Sequence, residues 1–118
     1  MKSNKTLIGL TEKVTIVNGK HEKTLVARID TGATQSSIDT TLATELNLGP
    51  VISTRLVKST HGSTLRAVIR ADIMIADKKI RARFNLADRH HMRYRILIGR
   101  NLLRKQGFLI DPDKKDVL

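Results

Sequence analysis

Asp30-Thr31-Gly32-Ala33 follows directly on an alternating apolar run, Leu25-Val26-Ala27-Arg28-Ile29. The alternation predicts a β-strand, and Thr-Gly predicts a tight turn at its end. The carboxylate of Asp30 is therefore expected where a strand stops, at the floor of a cleft, and the glycine lets another backbone come close. A turn without chemical function is the alternative, because Asp, Thr and Gly are ordinary turn residues.

A second informative stretch, Arg95 to Leu103, lies near the C-terminus. Ile96 to Ile98 is apolar without interruption, which is typical of a buried strand. Gly99 and Arg100 follow, and Asn101 to Gln106 predicts one or two helical turns that end at Gly107.

In this order the two stretches resemble the retropepsins, the single-lobe aspartic peptidases of retroviruses and retroelements. The chain is also similar to a cellular retropepsin-like family of bacteria and archaea, which carries the label "ATP-dependent zinc protease" or the name of a neighbouring glutamate ligase. That similarity extends from about Leu7 to Asp111 and includes Ile8-Gly9-Leu10, Lys58 to Gly62 and Asp88 to Arg100.

The resemblance implies site residues. Asp30 would be the catalytic aspartate, Thr31 would hydrogen-bond across a dimer, and Gly32 and Ala33 would complete the active-site loop. Residues of the second stretch would brace that loop: Gly99, Arg100 and Asn101. The aspartate that pairs with the matching arginine in retroviral enzymes is replaced here by Thr34, so three other acids are candidate partners of Arg100: Asp39, Asp88 and Asp111.

Retropepsins close over substrate with a glycine-rich hairpin. Thr60-His61-Gly62 lies between two predicted strands and is the candidate for this flap. His61 would then contact substrate; an exposed turn histidine is the competing interpretation.

The expected fold is all-β, a small closed retropepsin-like barrel of one lobe with one short C-terminal helix, in a single domain over residues 1–118. Asn18-Gly19 predicts a hairpin turn, with a longer loop through Lys23 as the alternative. Asp39 or Thr40 can also cap a short helical turn through Leu46. Further strands are predicted at four places: 51–58, 65–75, 80–86 and 108–110.

The formal net charge of +11 favours anionic partners. No nucleic-acid motif interleaves aromatics with the charges, so acidic peptides are favoured over nucleic acid, which the charge still allows. Arg81 and Arg83 alternate with apolar residues, and an exposed sheet face explains them equally well.

The sequence contains no feature that indicates a cofactor or a membrane span. The chain has no cysteine, and its four histidines, His21, His61, His90 and His91, fit no zinc motif. A phosphate-binding loop is also missing, so we expect neither a metal nor another cofactor. No apolar stretch approaches the length of a membrane span or a signal core. We expect a soluble, cytoplasmic protein.

Three functions remain open from the sequence. The first is a homodimeric aspartic endopeptidase, in which each subunit supplies one Asp30 to hydrolyse a peptide or protein substrate, possibly an acidic one. The second is a hydrolase that trims acidic, glutamate-rich tails. The third is a non-catalytic module on the same fold that binds acidic partners.

Overall fold

The computed structural model describes residues 4–60 and 62–115. This part of the chain contains nine strands and two short helices. In chain order they are β1 Thr6–Ile8, β2 Thr11–Asn18, β3 His21–Ile29, β4 Ser36–Asp39, α1 Thr40–Glu45, β5 Ser53–Ser59, β6 Gly62–Ile75, β7 Lys78–Ala87, β8 Ile96–Ile98, α2 Arg100–Leu103 and β9 Phe108–Ile110.

Seven of the strands form one sheet in the order β2-β3-β8-β4-β7-β6-β5. β2 pairs a second time, antiparallel with β6, where Val14 to Val17 lie opposite Ile75 to Asp72. This extra pairing closes six strands into a barrel and leaves β5 as an edge strand beyond it. The predicted small closed β-barrel is confirmed.

The barrel interior is filled by aliphatic side chains and one phenylalanine, Phe84. Ile69, Ala71, Ile73 and Ile75 alternate into the core along β6, as the sequence period predicts. The first residues of β6 behave differently, because they pair with β5 outside the barrel wall. In this outer hairpin the cross-strand partners Leu56 and Leu65 are 52% and 69% exposed.

The β2–β3 hairpin turns more tightly than the longer-loop alternative allows. Asn18 pairs with His21, so Gly19 and Lys20 alone form the turn. Gly19 has a φ of +58°, a left-handed conformation that glycine adopts without steric cost. His21, Glu22 and Lys23, which the longer-loop alternative placed in a loop, therefore belong to β3.

Both predicted helical segments are present, so the barrel carries two short helices where the predicted fold class had one. Asp39 caps α1, since its carboxylate accepts a hydrogen bond from the Leu42 amide at 3.1 Å. The C-terminal helix α2 is shorter than predicted, ends at Leu103 and begins at Arg100, one residue earlier. Gly107 has a φ of +73° but lies four residues past the helix, just before β9.

A separate two-stranded parallel sheet joins the first and last strands, β1 and β9. Ile8 on this sheet is fully buried against the barrel core. Leu7 pairs with Leu109 on the opposite face, where both side chains are about half exposed. Neither described helix is long and apolar enough to cross a membrane.

Candidate active site

Asp30 lies directly after β3, at the position where the strand hydrogen bonding ends. Its amide donates to the carbonyl of Ile98 at 2.8 Å, which ties it to β8. One carboxylate oxygen, Oδ1, accepts a hydrogen bond from the Gly32 amide at 2.9 Å. The Asp30 side chain is half-buried, and Thr31 and Gly32 beside it are exposed. This geometry leaves one carboxylate oxygen without a hydrogen bond inside the described chain.

Gly99 lies against the loop that follows Asp30. A Cβ atom on Gly99 would come within 2.3 Å of the Gln35 carbonyl oxygen and within 2.9 Å of the Ala33 carbonyl oxygen. Both neighbours are backbone atoms, which cannot rotate away. Only glycine therefore allows β8 and the loop to approach this closely.

Backbone hydrogen bonds join the same two segments. The Arg100 amide donates to the Ala33 carbonyl at 2.8 Å, and the Asn101 amide donates to the Thr34 carbonyl at 3.2 Å. These bonds use two of the amides that an α-helix leaves unpaired at its start. The first turn of α2 is thereby fixed to the loop that carries Asp30.

Ser36 adds a side-chain link between the two segments. Its hydroxyl is fully buried, accepts from the Gly99 amide at 2.9 Å and donates to Asn101 Oδ1 at 2.8 Å. The side-chain nitrogen of Asn101, Nδ2, in turn donates to the Arg83 carbonyl on β7 at 2.9 Å. The sequence analysis did not single out Ser36. Its only signal was a small hydroxyl residue at the start of a buried strand.

The side chain of Arg100 binds the loop without a carboxylate. Its Nη1 donates to the Thr31 carbonyl and its Nη2 to Thr34 Oγ1, both at 3.0 Å. Thr34, the residue that replaces the usual acid, is thus itself the partner. The expectation that Asp39, Asp88 or Asp111 pairs with Arg100 is wrong for the described residues, because those acids bind other groups: Asp39 binds Arg95, Asp88 binds the His90 amide and Asp111 binds the Asp113 amide.

Asp39 is the fully buried acid of the barrel. Its carboxylate accepts from the Arg89 amide at 2.8 Å and from Arg95 Nη2 at 3.0 Å, in addition to the α1 cap. Burial alone would raise the pKa of Asp39, but the hydrogen bonds from Arg89, Arg95 and Leu42 outweigh it and lower this pKa below its ordinary value. Asp39 therefore serves as an ionised structural group.

Arg89 lies within electrostatic range of several other charged groups. Burial and the positive charges of Arg66 and Arg28 lower the pKa of Arg89, while the negative charges of Asp30 and Asp39 act in the opposite direction. The charges of Arg89 and Asp30 are therefore close enough to interact. The two residues are far apart in the sequence, so no local pattern indicated this interaction.

The β5–β6 hairpin carries a pair of arginines. Arg55 and Arg66 are direct cross-strand partners. Arg66 Nη1 donates to Asn85 Oδ1 at 3.2 Å, and the same oxygen accepts from Ser37 Oγ at 2.7 Å. A cleft of about 250 Å³ opens here, lined by Gln35, Ser53, Arg55, Val68, Arg83, Asn85 and Asn101.

The predicted flap lies at the tip of this hairpin. Ser59 pairs with Gly62, and Gly62 has a φ of +117°. Thr60 is exposed. His61 lies outside the described residues, and its predicted contact with substrate stays a prediction.

The acids and histidines of the described residues are dispersed. In residues 4–60 and 62–115 no three His, Asp or Glu side chains come together in a way that could hold a metal ion. His90 and His91 pack edge to face against each other, with ring centroids 5.0 Å apart.

The fold and this loop arrangement define a single-lobe barrel of the retropepsin class. A family model described as RimB-like, "Retropepsin-like aspartic endopeptidase RimB", matches residues 40–118. The chain therefore belongs to the RimB-like family. The matched residues begin beyond Asp30, so the family match does not include this acid.

Two solved structures have a similar fold. Protein Lpg0085 of Legionella pneumophila, a protein of unknown function, is 23% identical and superposes with a TM-score of 0.67, with 98% of each chain covered. The protease of simian foamy virus (mac) is 22% identical with a TM-score of 0.55, and the match covers 75% of this chain and 86% of the viral one. No curated protein matches the sequence.

Proposed function

We propose that this chain is an aspartic endopeptidase that is active as a homodimer, in which the two Asp30 side chains meet at the two-fold axis. Membership of the RimB-like family supports this reading. The chain contains one Asp-Thr-Gly-Ala segment and so supplies one catalytic carboxylate, whereas the mechanism needs two carboxylates. A symmetric dimer provides the second from the same surface of another copy.

In the proposed mechanism the two carboxylates share one proton, because like charges about 3 Å apart cannot both be ionised in such a site. The ionised Asp30 takes a proton from a bound water, and the protonated one donates to the carbonyl oxygen of the scissile peptide bond. The water oxygen adds to the carbonyl carbon. The tetrahedral gem-diol intermediate then breaks its C–N bond. One carboxyl group protonates the leaving amine nitrogen, and the ionised carboxylate takes the proton of a gem-diol hydroxyl, which leaves one proton shared between the two.

The observation that carries the proposal is the fixation of the Asp30 loop. Backbone bonds from Asp30 to Ile98 and from Arg100 to Ala33, together with the buried Ser36 hydroxyl, hold the acid on rigid strands. Such preorganisation is what charge stabilisation in a reaction requires. The exposed Leu56–Leu65 pair of the outer hairpin supports a flap that covers an extended peptide.

Asp30→Asn tests the mechanism directly. The amide keeps the shape of the side chain but cannot share a proton, so cleavage of a peptide library should fall by about 10²–10⁴-fold or more. The free energy of unfolding should change by less than about 0.5 kcal/mol, because the side chain is half exposed. Initial rates and denaturant unfolding of both proteins provide the comparison.

Asp77→Asn is a matched control, since Asp77 is an exposed turn residue with a φ of +65°, which asparagine also tolerates. It should retain wild-type cleavage. Adding an excess of Asp30→Asn subunits to the wild-type protein should lower its activity by forming mixed dimers. Undiminished cleavage by Asp30→Asn would exclude the proposed chemistry.

A second candidate is the trimming of acidic tails, and the cleft beside the β5–β6 hairpin favours it. Arg55 and Arg83 line that cleft together with Gln35 of the loop after Asp30, and would hold carboxylate side chains of a substrate there. Cleavage confined to glutamate-rich peptides in the same library would select this candidate. Peptide binding that persists in Asp30→Asn, with no cleavage by the wild-type protein, would instead select a binding module.

A further inference from the structure

A second basic surface lies on β6, β7 and α2 and contains none of the Asp30 loop residues. It is a cleft of about 400 Å³, here called the arginine cleft. Its lining contains three arginines, Arg70, Arg81 and Arg83. The other lining residues are the apolar Ile80, Ala82 and Leu102 and the amides Asn101 and Gln106.

Arg70 and Arg83 are direct cross-strand partners in the β6–β7 pairing. Side chains at such positions point to the same face, and like charges there destabilise an antiparallel pair. No carboxylate binds either guanidinium among the residues that the structure describes. Asp72 is the nearby acid, but it lies 3.9 Å from Arg81, whose side chain is 70% exposed. The free chain therefore places two positive charges on one face without a paired carboxylate.

We propose that the arginine cleft binds an extended acidic segment of another protein, outside the Asp30 site. The planar guanidinium group of an arginine can donate two parallel hydrogen bonds to one carboxylate. Alternate side chains of an extended segment repeat every ~6.8 Å, which is also the spacing of Arg81 and Arg83 along β7. Carboxylates two residues apart in the segment can thus reach both arginines, and an anion near Arg70 and Arg83 removes their repulsion.

The floor of the cleft favours a peptide over a nucleic acid. Ala82 is partly exposed in the cleft beside the buried Ile80 and Leu102, and offers an apolar contact to the methylene groups of glutamate. The lining contains no aromatic side chain on which a base could stack. The cleft shares Arg83 and Asn101 with the smaller cleft beside Arg55, so a bound segment can continue toward the β5–β6 hairpin.

Binding can be measured without cleavage by using the Asp30→Asn protein, so the result does not depend on the proposed peptidase activity. The probe is a fluorescent decapeptide of alternating glutamate and serine, followed by anisotropy at about 0.1 M salt. Arg70→Gln with Arg83→Gln should weaken binding at least tenfold. Arg93→Gln with Arg104→Gln removes the same charge from exposed positions outside the cleft and should weaken it less than threefold.

Equal losses in the two double variants would overturn the proposal, because they would indicate attraction to the net charge alone. A ten-nucleotide oligouridine that binds more tightly than the peptide, and is lost on the same substitutions, would overturn it in favour of nucleic acid. Should the cleft variant fail to fold, amide shifts in the Asp30→Asn protein decide the question. Peptide-induced shifts should centre on residues 70, 83 and 102, and shifts confined to other strands would contradict the proposal.

Discussion

At the scale of single residues, the site depends on close contact between two backbones, and Gly99 is where they come closest. Its missing side chain lets β8 reach the loop after Asp30, and the Ser36 hydroxyl then binds the Gly99 amide. A side chain here would displace the loop together with the acid. The φ of Gly99 is −102°, which any residue can adopt, so backbone conformation does not require glycine here. Steric crowding against the loop after Asp30 does.

Gly99→Ala should therefore lower the free energy of unfolding by about 1–3 kcal/mol or more, the usual cost of overfilling a packed site. Gly32→Ala is the matched comparison. A Cβ on Gly32 would meet only Asp30 Oδ1, at 3.3 Å, so it should cost clearly less. Urea unfolding of the two variants measures the difference, and similar stabilities would contradict the steric argument.

Sequence reasoning located the residues of this site better than their partners. The strand period and the Thr-Gly turn indicated where Asp30 lies, since both are local features. The partners of Arg100 and the buried position of Ser36 depend on chain segments more than 60 residues apart in sequence. Pairings of that kind are set by the barrel register, which no local pattern encodes.

At the scale of elements, Asp39 is the junction at which several pieces of the barrel meet. Its carboxylate caps α1, accepts from the Arg89 amide after β7 and binds Arg95 just before β8. Its own amide donates to the Arg95 carbonyl at 2.9 Å. Because Asp39 is the last residue of β4, one buried charge holds four elements in place.

The lowered pKa of Asp39 predicts how stability depends on pH. A carboxylate whose pKa is lower in the folded state stabilises that state above its unfolded pKa of about 3.9, and this contribution is lost as pH falls through the folded value. Asp39→Asn should cost about 3 kcal/mol at neutral pH, because it removes the nearer partner of the Arg95 charge and leaves Glu45, at 3.9 Å, as the remaining acid.

The difference between wild type and Asp39→Asn should shrink as pH is lowered below about 4, since the unfolded wild-type chain takes up a proton at this carboxyl there while the folded chain still holds it ionised. Denaturant unfolding at neutral pH and at about pH 3 measures it. Asp113→Asn, at an exposed position, should change stability little at either pH. A constant difference between wild type and Asp39→Asn at both pH values would contradict a structural role for the charge.

The element boundaries show what local patterns can and cannot fix. Alternation predicted β6, and the Asp39 cap predicted the start of α1, because both signals come from neighbouring residues. The start of α2 at Arg100 depends on hydrogen bonds from Arg100 and Asn101 to Ala33 and Thr34, which are distant in sequence. The prediction therefore missed the helix start by one residue.

At the scale of the whole molecule, the net charge of +11 opposes the association that the proposed mechanism needs. Two positively charged subunits repel each other at low ionic strength. The screening length falls from about 10 Å at 0.1 M salt to about 3 Å at 1 M. Dimerisation should therefore strengthen as salt is added.

Sedimentation velocity across this range measures the expected change in self-association. The Asp30→Asn protein is a suitable sample, because it cannot digest itself under the proposed mechanism. Association that weakens with added salt would mean that opposite charges hold the subunits together. That outcome would contradict repulsion as the dominant force between them.

The open side of β5 has a consequence for solubility. A barrel hides its strand edges, but among the described strands β5 pairs with β6 alone, so its other side is unpaired within that part of the chain. Such edges invite stacking between molecules unless charge prevents it. Arg55 and Lys58 lie on this strand and are exposed. The positive charge that hinders dimerisation thus also protects the protein from fibrous aggregation.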